Sequence, residues 1–233
     1  MAGRDDTAAE VVAALRRHQS EAELATVRKR LAPDEDAIGM RMRDLFDTAR
    51  AHTGLPLHEI EQLLDEPAYE PRMAAFCILD FKARGRLDDE QRRQLYDLYL
   101  GHHDRISTWD MVDRAAPRVV GGYLAGRSIK PLRDLATTAE PLRRRTAITA
   151  PLFFVRSGSD KDLAAGFDVA AMLSADPEPV VHNAVGIFLK HAGTRDPHAL
   201  HRFLDDHAAG MARPALRIAT EKLAPADRAR HVG

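Results

Sequence analysis

The 233-residue chain is 45% apolar and 30% charged, a globular composition that excludes a disordered chain. Its formal net charge of −1 does not mark the whole chain as a nucleic-acid binder. The single cysteine, Cys77, excludes an internal disulfide and fits a reducing cytoplasm, where we expect the protein to act. Residues 1–10 show no signal peptide, and the longest strongly apolar run, residues 147–155, is too short to cross a bilayer. We therefore predict no membrane association.

Helical periodicity runs through nearly the whole chain. Residues 20–31 open with Ser20 and Glu23, the pattern of a capping box. Four further segments repeat their apolar residues three and four positions apart: 40–52, 70–85, 88–103 and 162–174. Breaks fall at Pro33, 54–56, Gly85, Gly126, 157–158 and 175–177. Because no strand-like alternation appears, we predict an all-α fold.

A repeat underlies these helices. A polar residue before a small apolar pair recurs at Arg72, Arg145, Asn183 and Arg217, at spacings of 73, 38 and 34 residues. The first spacing corresponds to two repeats, so a further repeat should centre near residue 109. A period of about 36–38 residues, with two helices each, predicts a HEAT-like solenoid or α-α superhelix. We expect one curved domain over residues 1–233, with about six helix pairs and a flexible tail at residues 224–233.

Charge is unevenly distributed along this repeat. Residues 105–156 contain ten Arg or Lys against four Asp or Glu, a net charge of +6, whereas the rest of the chain carries −7. Stacked helix pairs present one helix of each pair along a concave face. A basic band on such a face fits a polyanion, although solvated helix faces would give the same count.

The basic segment contains the only tryptophan, Trp109, with Asp113 four residues later, so that both share one helix face. A carboxylate would weaken phosphate binding, but it stabilises the oxocarbenium-like state formed when an N-glycosidic bond breaks. An indole face also favours a cation. The alternatives are a core role for Trp109, an ion pair between Asp113 and Arg145, and a solvated face at residues 143–145 with one arginine bonding the preceding loop.

Three segments together resemble the AlkD-type bacterial DNA alkylation repair glycosylases. They are STWDMVDRAAPRVVGGYL (107–124), EPLRRRTAI (140–148) and NAVGIFLKH (183–191). The resemblance extends over most of the chain, from about residue 24 to 207. It implies a HEAT-like solenoid that grips duplex DNA and excises cationic N3- or N7-alkylated purines in base excision repair. The implied enzyme is a monofunctional DNA N-glycosylase that needs no cofactor and draws no base into a protein pocket.

The same resemblance assigns roles to individual residues. Trp109 and Asp113 would contact the deoxyribose of the lesion, and Arg145 would hold the DNA backbone nearby. The expected additional DNA contacts are Arg143, Arg144 and Lys190. Family members often carry aromatic residues at the positions of Val27 and Ile187 and a basic residue at that of Asn183. The expected partner is double-stranded alkylated DNA, bound by a monomer that associates with the nucleoid and has no obligate protein partner.

Two other functions remain open from the sequence: a non-catalytic DNA-binding repeat protein and a protein-interaction solenoid. A metal enzyme is not expected. His102, His103 and Asp104 are adjacent, but no second ligand pair has suitable spacing.

Overall fold

The computed structural model describes residues 6–232. Residues 1–5 and Gly233 lie outside the described residues. The first range belongs to the segment in which no signal peptide is predicted, and Gly233 ends the predicted tail. The chain divides into two compact units, Met1–Ala115 and Ala116–Gly233. A single domain over residues 1–233 stays a prediction.

The first unit is built around one buried helix. Its helices are α1 (Ala8–Arg16), α2 (Glu21–Arg28), α3 (Met42–Ala51), α4 (Leu57–Asp65), α5 (Tyr69–Ala83), α6 (Asp89–Gly101) and α7 (Trp109–Ala116), the last ending one residue beyond the unit. Helix α5 is buried over nearly its whole circumference and packs against α1, α3, α4 and α6. A helix that is apolar all round belongs in the centre of a bundle, which explains its position.

The second unit shows the repeat directly. It contains a π-helical turn (Pro117–Gly121) followed by α8 (Gly122–Leu124), α9 (Lys130–Ala136), α10 (Pro141–Thr149), α11 (Leu152–Ser157), α12 (Asp160–Met172), α13 (Pro179–Arg195), α14 (Pro197–His207), α15 (Arg213–Ala219) and α16 (Pro225–Val232). Helices α9 and α10, and α12 and α13, form successive pairs, and α10, α13 and α15 stack on one another in that order.

The structure confirms the predicted all-α, HEAT-like fold class. Within residues 6–232 the only sheet-like pairing is an isolated bridge between Asp36 and Ala68. Arg72, Arg145, Asn183 and Arg217, which set the period, lie on α5, α10, α13 and α15. The repeat expected near residue 109 coincides with α7, which begins at Trp109. Each predicted break falls between helices or at a helix end, and Ser20 caps α2 by accepting a bond from the Glu23 amide.

The segment predicted as a flexible tail, residues 224–233, contains a helix, and its flexibility stays a prediction. Pro225 starts α16, whose Arg230 guanidinium lies 2.8 Å from the Asp205 carboxylate. The His201 and His231 rings also lie 5.9 Å apart. These contacts hold the segment as a helix despite its polar composition.

Gly121 permits a close approach that no other residue would allow. A Cβ at this position would lie 2.1 Å from the Ala150 carbonyl oxygen and 2.9 Å from Phe153 Cβ. The glycine therefore lets the π-helical turn pack against the start of α11, the close-packing role that a glycine in a helical context suggests.

Cys77 and His103 are both enclosed in the first unit. Cys77 is fully buried in α5, and burial raises the pKa of its thiol to about 12, against a smaller opposing effect of Arg114. His103 is also buried, with its ring edge against Tyr99, while His102 caps the end of α6.

Among the described residues no cluster of three or more His, Cys, Asp or Glu side chains is placed to hold a metal ion. Nor does this part of the chain contain a helix of the length and apolarity needed to cross a membrane.

Candidate functional site

Trp109 is the first residue of α7, and its side chain is half exposed. Its relative exposure is 50%, and Met172 is the other large hydrophobic residue found exposed among those described. A tryptophan buries a large area when it belongs to a core, so exposure of the single indole of the chain gives up that stabilisation. The core interpretation of Trp109 is therefore not the one that the structure favours.

Asp113 lies one helical turn after Trp109 and is partly exposed. Side chains at positions i and i+4 of a helix have Cβ atoms about 5–6 Å apart. An indole face and a carboxylate thus border the same strip of the helix surface, at a separation comparable to a sugar ring.

The neighbouring carboxylate, Asp110, is committed to internal contacts. It accepts a hydrogen bond from the Tyr69 hydroxyl at 2.7 Å and another from the Thr108 hydroxyl at 2.5 Å. The Arg30 guanidinium lies 3.4 Å from the same carboxylate and stacks over the Tyr69 ring at 5.2 Å. Burial, and then the negative charge of Asp110, raise the pKa of Tyr69, so its hydroxyl remains a hydrogen-bond donor at neutral pH.

Arg114 secures the next turn of α7. Its guanidinium lies 3.1 Å from the fully buried Asp80 carboxylate on α5. It also stacks between the Phe46 and Phe81 rings, at 4.5 and 4.6 Å from their centroids. Asp110 and Arg114 are four residues apart, so one strip of α7 is fixed to the unit while the adjacent strip presents Trp109 and Asp113.

The segment that leads into α7 is also fixed. The Glu35 carboxylate accepts hydrogen bonds from Arg72 and from the Ser107 hydroxyl. Arg72 in addition donates to the Arg105 carbonyl at 3.2 Å, and Arg105 forms an ion pair with Asp65 at 2.7 Å. These contacts fix where α7 begins, and so where the indole projects.

Two of the basic residues predicted to contact DNA are bound within the second unit. Arg144 forms an ion pair with Asp176 at 2.6 Å and donates to the carbonyls of Thr138 and Ala139. The hydrogen bond to Asp176 raises the pKa of the guanidinium further. Arg144 is thus an arginine that bonds the preceding loop. Lys190 lies 3.2 Å from the Glu221 carboxylate, with 19% of its side chain exposed.

The other two arginines of the RRR sequence differ from Arg144 and from each other. Arg145 is 3% exposed and donates a hydrogen bond to the Val180 carbonyl at the start of α13. The guanidinium is therefore largely enclosed, with one of its nitrogens directed at the protein backbone. Arg143 is partly exposed, and its guanidinium forms no hydrogen bond or ion pair with the residues that the structure describes.

The positions where related proteins often carry additional aromatic residues are apolar here. Val27 is buried on α2, Ile187 is half-buried on α13, and Asn183 is exposed on the same helix. Of the residues at positions 27, 109 and 187, Trp109 is therefore the only aromatic one.

Most of the residues that hold α7 leave no signal in the local sequence. Tyr69 and Arg30 lie 41 and 80 positions before Asp110, so no local pattern connects them. A signal was present for one of them: Arg114 follows Asp110 by four residues, which places both on one strip of the helix.

These observations define a class of protein, an α-helical repeat protein that displays one exposed indole and a carboxylate on a firmly anchored helix. A family model described as "DNA alkylation repair enzyme" matches residues 11–223. The chain belongs to this family, as the sequence resemblance predicted, and the family supports a role in DNA alkylation repair.

The fold agrees with a solved structure described as "Predicted DNA alkylation repair enzyme from Enterococcus faecalis". The TM-score is 0.67 at 14% sequence identity, covering 89% of this chain and 98% of that one. This likeness concerns the fold. A search of the curated proteins finds no match.

Proposed function

We propose that the protein is a monofunctional DNA glycosylase that excises cationic N3- or N7-alkylated purines from duplex DNA. The observation that supports this most directly is the exposed Trp109, which shares a helix strip with Asp113 while the neighbouring Asp110 is held by Tyr69 and Arg30. Asp113 is partly exposed beside the indole, on the strip next to the one that carries Asp110.

The reaction requires little beyond these two groups. When the N-glycosidic bond breaks, its electron pair passes to the alkylated base, which leaves as a neutral molecule and needs no acid. Positive charge develops on the deoxyribose, where the Asp113 carboxylate stabilises it. Water then attacks C1′ and releases a proton, with Asp113 orienting the water.

Trp109 favours the same charge from its ring face. Such a cation–π interaction contributes about 0.5–2 kcal/mol, depending on how far water is excluded. A neutral indole attracts the developing cation without adding a second negative charge near the phosphates. This explains how a site with a single carboxylate can accept polyanionic DNA.

The basic residues divide by their contacts. Arg143, whose guanidinium is uncommitted among the described residues, is the backbone contact that we propose on α10. Arg145, which is 3% exposed and donates to the Val180 carbonyl, is the second backbone contact that we propose, and it needs a local movement to become accessible. Arg144 and Lys190 hold the protein together through Asp176 and Glu221. We expect the protein to act in the cytoplasm as a monomer on duplex DNA.

The test is base release from duplex DNA containing 7-methylguanine or 3-methyladenine, followed by chromatography of the freed base. Asp113→Asn should lower the single-turnover rate by at least about 100-fold, the order of loss seen when one stabilising group is removed from a charged transition state. DNA binding should stay equal or become tighter, because a negative charge is lost.

The matched control is Asp97→Asn. It removes an exposed carboxylate from α6, where Asp97 pairs with Arg93 at 2.8 Å, and should leave the rate unchanged. Salt-sensitive DNA binding without base release would identify a non-catalytic binding protein. Neither binding nor release would point to a protein-interaction solenoid.

A further inference from the structure

A cleft of about 590 Å³ opens in the second unit, where the π-helical turn, α11 and α13 meet. All of its lining residues belong to that unit and none is part of the site on α7. Its volume is within the range of about 300–1,000 Å³ found for small-molecule sites.

The charged lining of the cleft is entirely basic. Arg118, Arg156 and Arg195 line it together with His191, and no acidic residue does. Arg195 is held by the carbonyls of Phe154 and Gly158 and by Asp160, so its role is to join α13 to the end of α11. Arg156 is exposed and forms no hydrogen bond or ion pair with any residue of the described chain. Its guanidinium is therefore free to bind an anion.

The ring of His191 lies in a positive potential. Burial lowers its pKa, and the charges of Lys222, Lys190 and Arg156 lower it further, in that order. Glu221 acts in the opposite direction but is paired with Lys190 at 3.2 Å. An anion bound in the cleft would relieve this repulsion, so the ring should take up a proton more readily when the cleft is filled.

The opposite side of the cleft is apolar. Pro117, Leu152, Phe153 and Val155 form it, and the Phe153 ring packs over Gly122, where a Cβ would lie 3.5 Å from Cε2. Aromatic rings beside a basic groove are platforms on which nucleobases stack, and this stacking tolerates any base. The cleft thus combines a basic side with an apolar side that contains an aromatic ring.

We propose that this cleft binds a single nucleotide, with Arg156 and His191 holding the phosphate and the base lying against Leu152 and Phe153. The nucleotide could be free in solution or an unpaired nucleotide of DNA, since the recognised chemistry is the same. No bond is made or broken. The proposal extends beyond the glycosylase reaction, because it uses none of the residues of that site.

The first experiment measures binding of 2′-deoxyadenosine 5′-monophosphate to the full chain by calorimetry. Deoxyadenosine and inorganic phosphate, which each lack half of the ligand, should bind at least about tenfold more weakly. Arg156→Ala should weaken nucleotide binding by a similar factor. The control Arg202→Ala removes an exposed arginine from α14, outside the cleft, and should change nothing.

A second readout locates the ligand. The Cε1–H resonance of His191, identified by its loss in His191→Gln, should titrate at higher pH when the nucleotide is present. Deoxyadenosine should leave this titration unchanged, because it brings no negative charge. This measurement stays informative even if Arg156→Ala disturbs α11.

The source of the nucleotide is distinguished with two labelled duplexes of matched sequence, one fully paired and one with a single unpaired adenosine. If Arg156→Ala weakens binding of the second duplex more than the first, the ligand is a nucleotide of DNA. If it affects free nucleotide alone, the ligand is a free nucleotide. Either result supports the site.

Three results would overturn it: no saturable nucleotide binding, equal affinity for the nucleotide and for either of its halves, or equal effects of Arg156→Ala and Arg202→Ala. Failure of the glycosylase proposal would appear separately, as absence of base release with nucleotide binding intact.

Discussion

Removing the Tyr69 hydroxyl tests whether α7 is anchored as described. Tyr69→Phe keeps the buried ring but deletes the 2.7 Å hydrogen bond to Asp110 and the contact with Arg30 at 3.4 Å. A hydrogen bond to a charged group contributes about 1.5–3 kcal/mol. The Arg30–Asp110 pair survives, but at 40% and 14% side-chain exposure it belongs with surface pairs that contribute roughly 0.2–1 kcal/mol. It therefore cannot replace the lost bond.

We expect Tyr69→Phe to lower the free energy of unfolding by about 2 kcal/mol. For a chain of this length that corresponds to a decrease in Tm of roughly 4–8 °C. Urea denaturation followed by circular dichroism measures the change. The base-release rate should also decrease, with the loss in kcat rather than in KM, because Trp109 and Asp113 would be held less firmly.

The energetic coupling is measured with Asp110→Asn and the double variant. If Tyr69 and Asp110 interact as the distance indicates, the double-mutant cycle should give a coupling of about 1–2 kcal/mol. Effects that add to within about 0.5 kcal/mol would refute the anchoring role of this contact.

Three further predictions concern separate parts of the chain. Trp109→Ala should reduce the rate of base release by roughly 2- to 30-fold, as expected for a lost cation–π contact. The free energy of unfolding in urea should change by no more than about 0.5 kcal/mol, since the indole is half exposed. A large loss of stability would instead indicate a packing role. Gly121→Ala should destabilise the fold by at least about 2 kcal/mol, because the new methyl group would meet the Ala150 carbonyl. The control Gly101→Ala should not destabilise it, because a Cβ at this position meets no atom within 4 Å. Similar melting temperatures for these two variants would contradict the packing role of Gly121. Burial favours a raised pKa for Asp162, but hydrogen bonds from two backbone amides and a serine hydroxyl outweigh it and lower the pKa. The stability that this carboxylate contributes is therefore present above its unfolded pKa and is lost as the pH falls through the lower folded pKa. Acid unfolding of Asp162→Asn should accordingly show a shallower pH dependence than that of the wild type.

The repeat could be predicted from the sequence because each helix pair solves the same packing problem. A polar residue before small apolar residues recurs on α5, α10, α13 and α15, and its spacing predicts a further repeat at the position of α7. The helix α16 was not predicted because its composition is polar, and one of its contacts is with Asp205, which is distant in sequence.

The site could be predicted only in part. Two aspartates follow Trp109, and local pattern cannot show that Asp110 is held in place, since its partners Tyr69 and Arg30 lie elsewhere in the chain. The RRR sequence shows the same limit. Consecutive helix residues point about 100° apart, so three identical side chains enter three environments. Their identical chemistry concealed that only Arg143 is left uncommitted among the described residues.

The buried thiol has a consequence for a protein of alkylation repair. Small methylating agents are electrophiles, and cysteine reacts with electrophiles as the thiolate, which is the nucleophilic form of its side chain. Burial raises the pKa of the Cys77 thiol far above neutral pH, so the thiol stays protonated, and its side chain is fully enclosed. Mass spectrometry after exposure to methyl methanesulfonate should find this residue unmodified in the folded protein and methylated in urea. The same electrophiles that damage DNA would thus leave intact a protein needed while they are present.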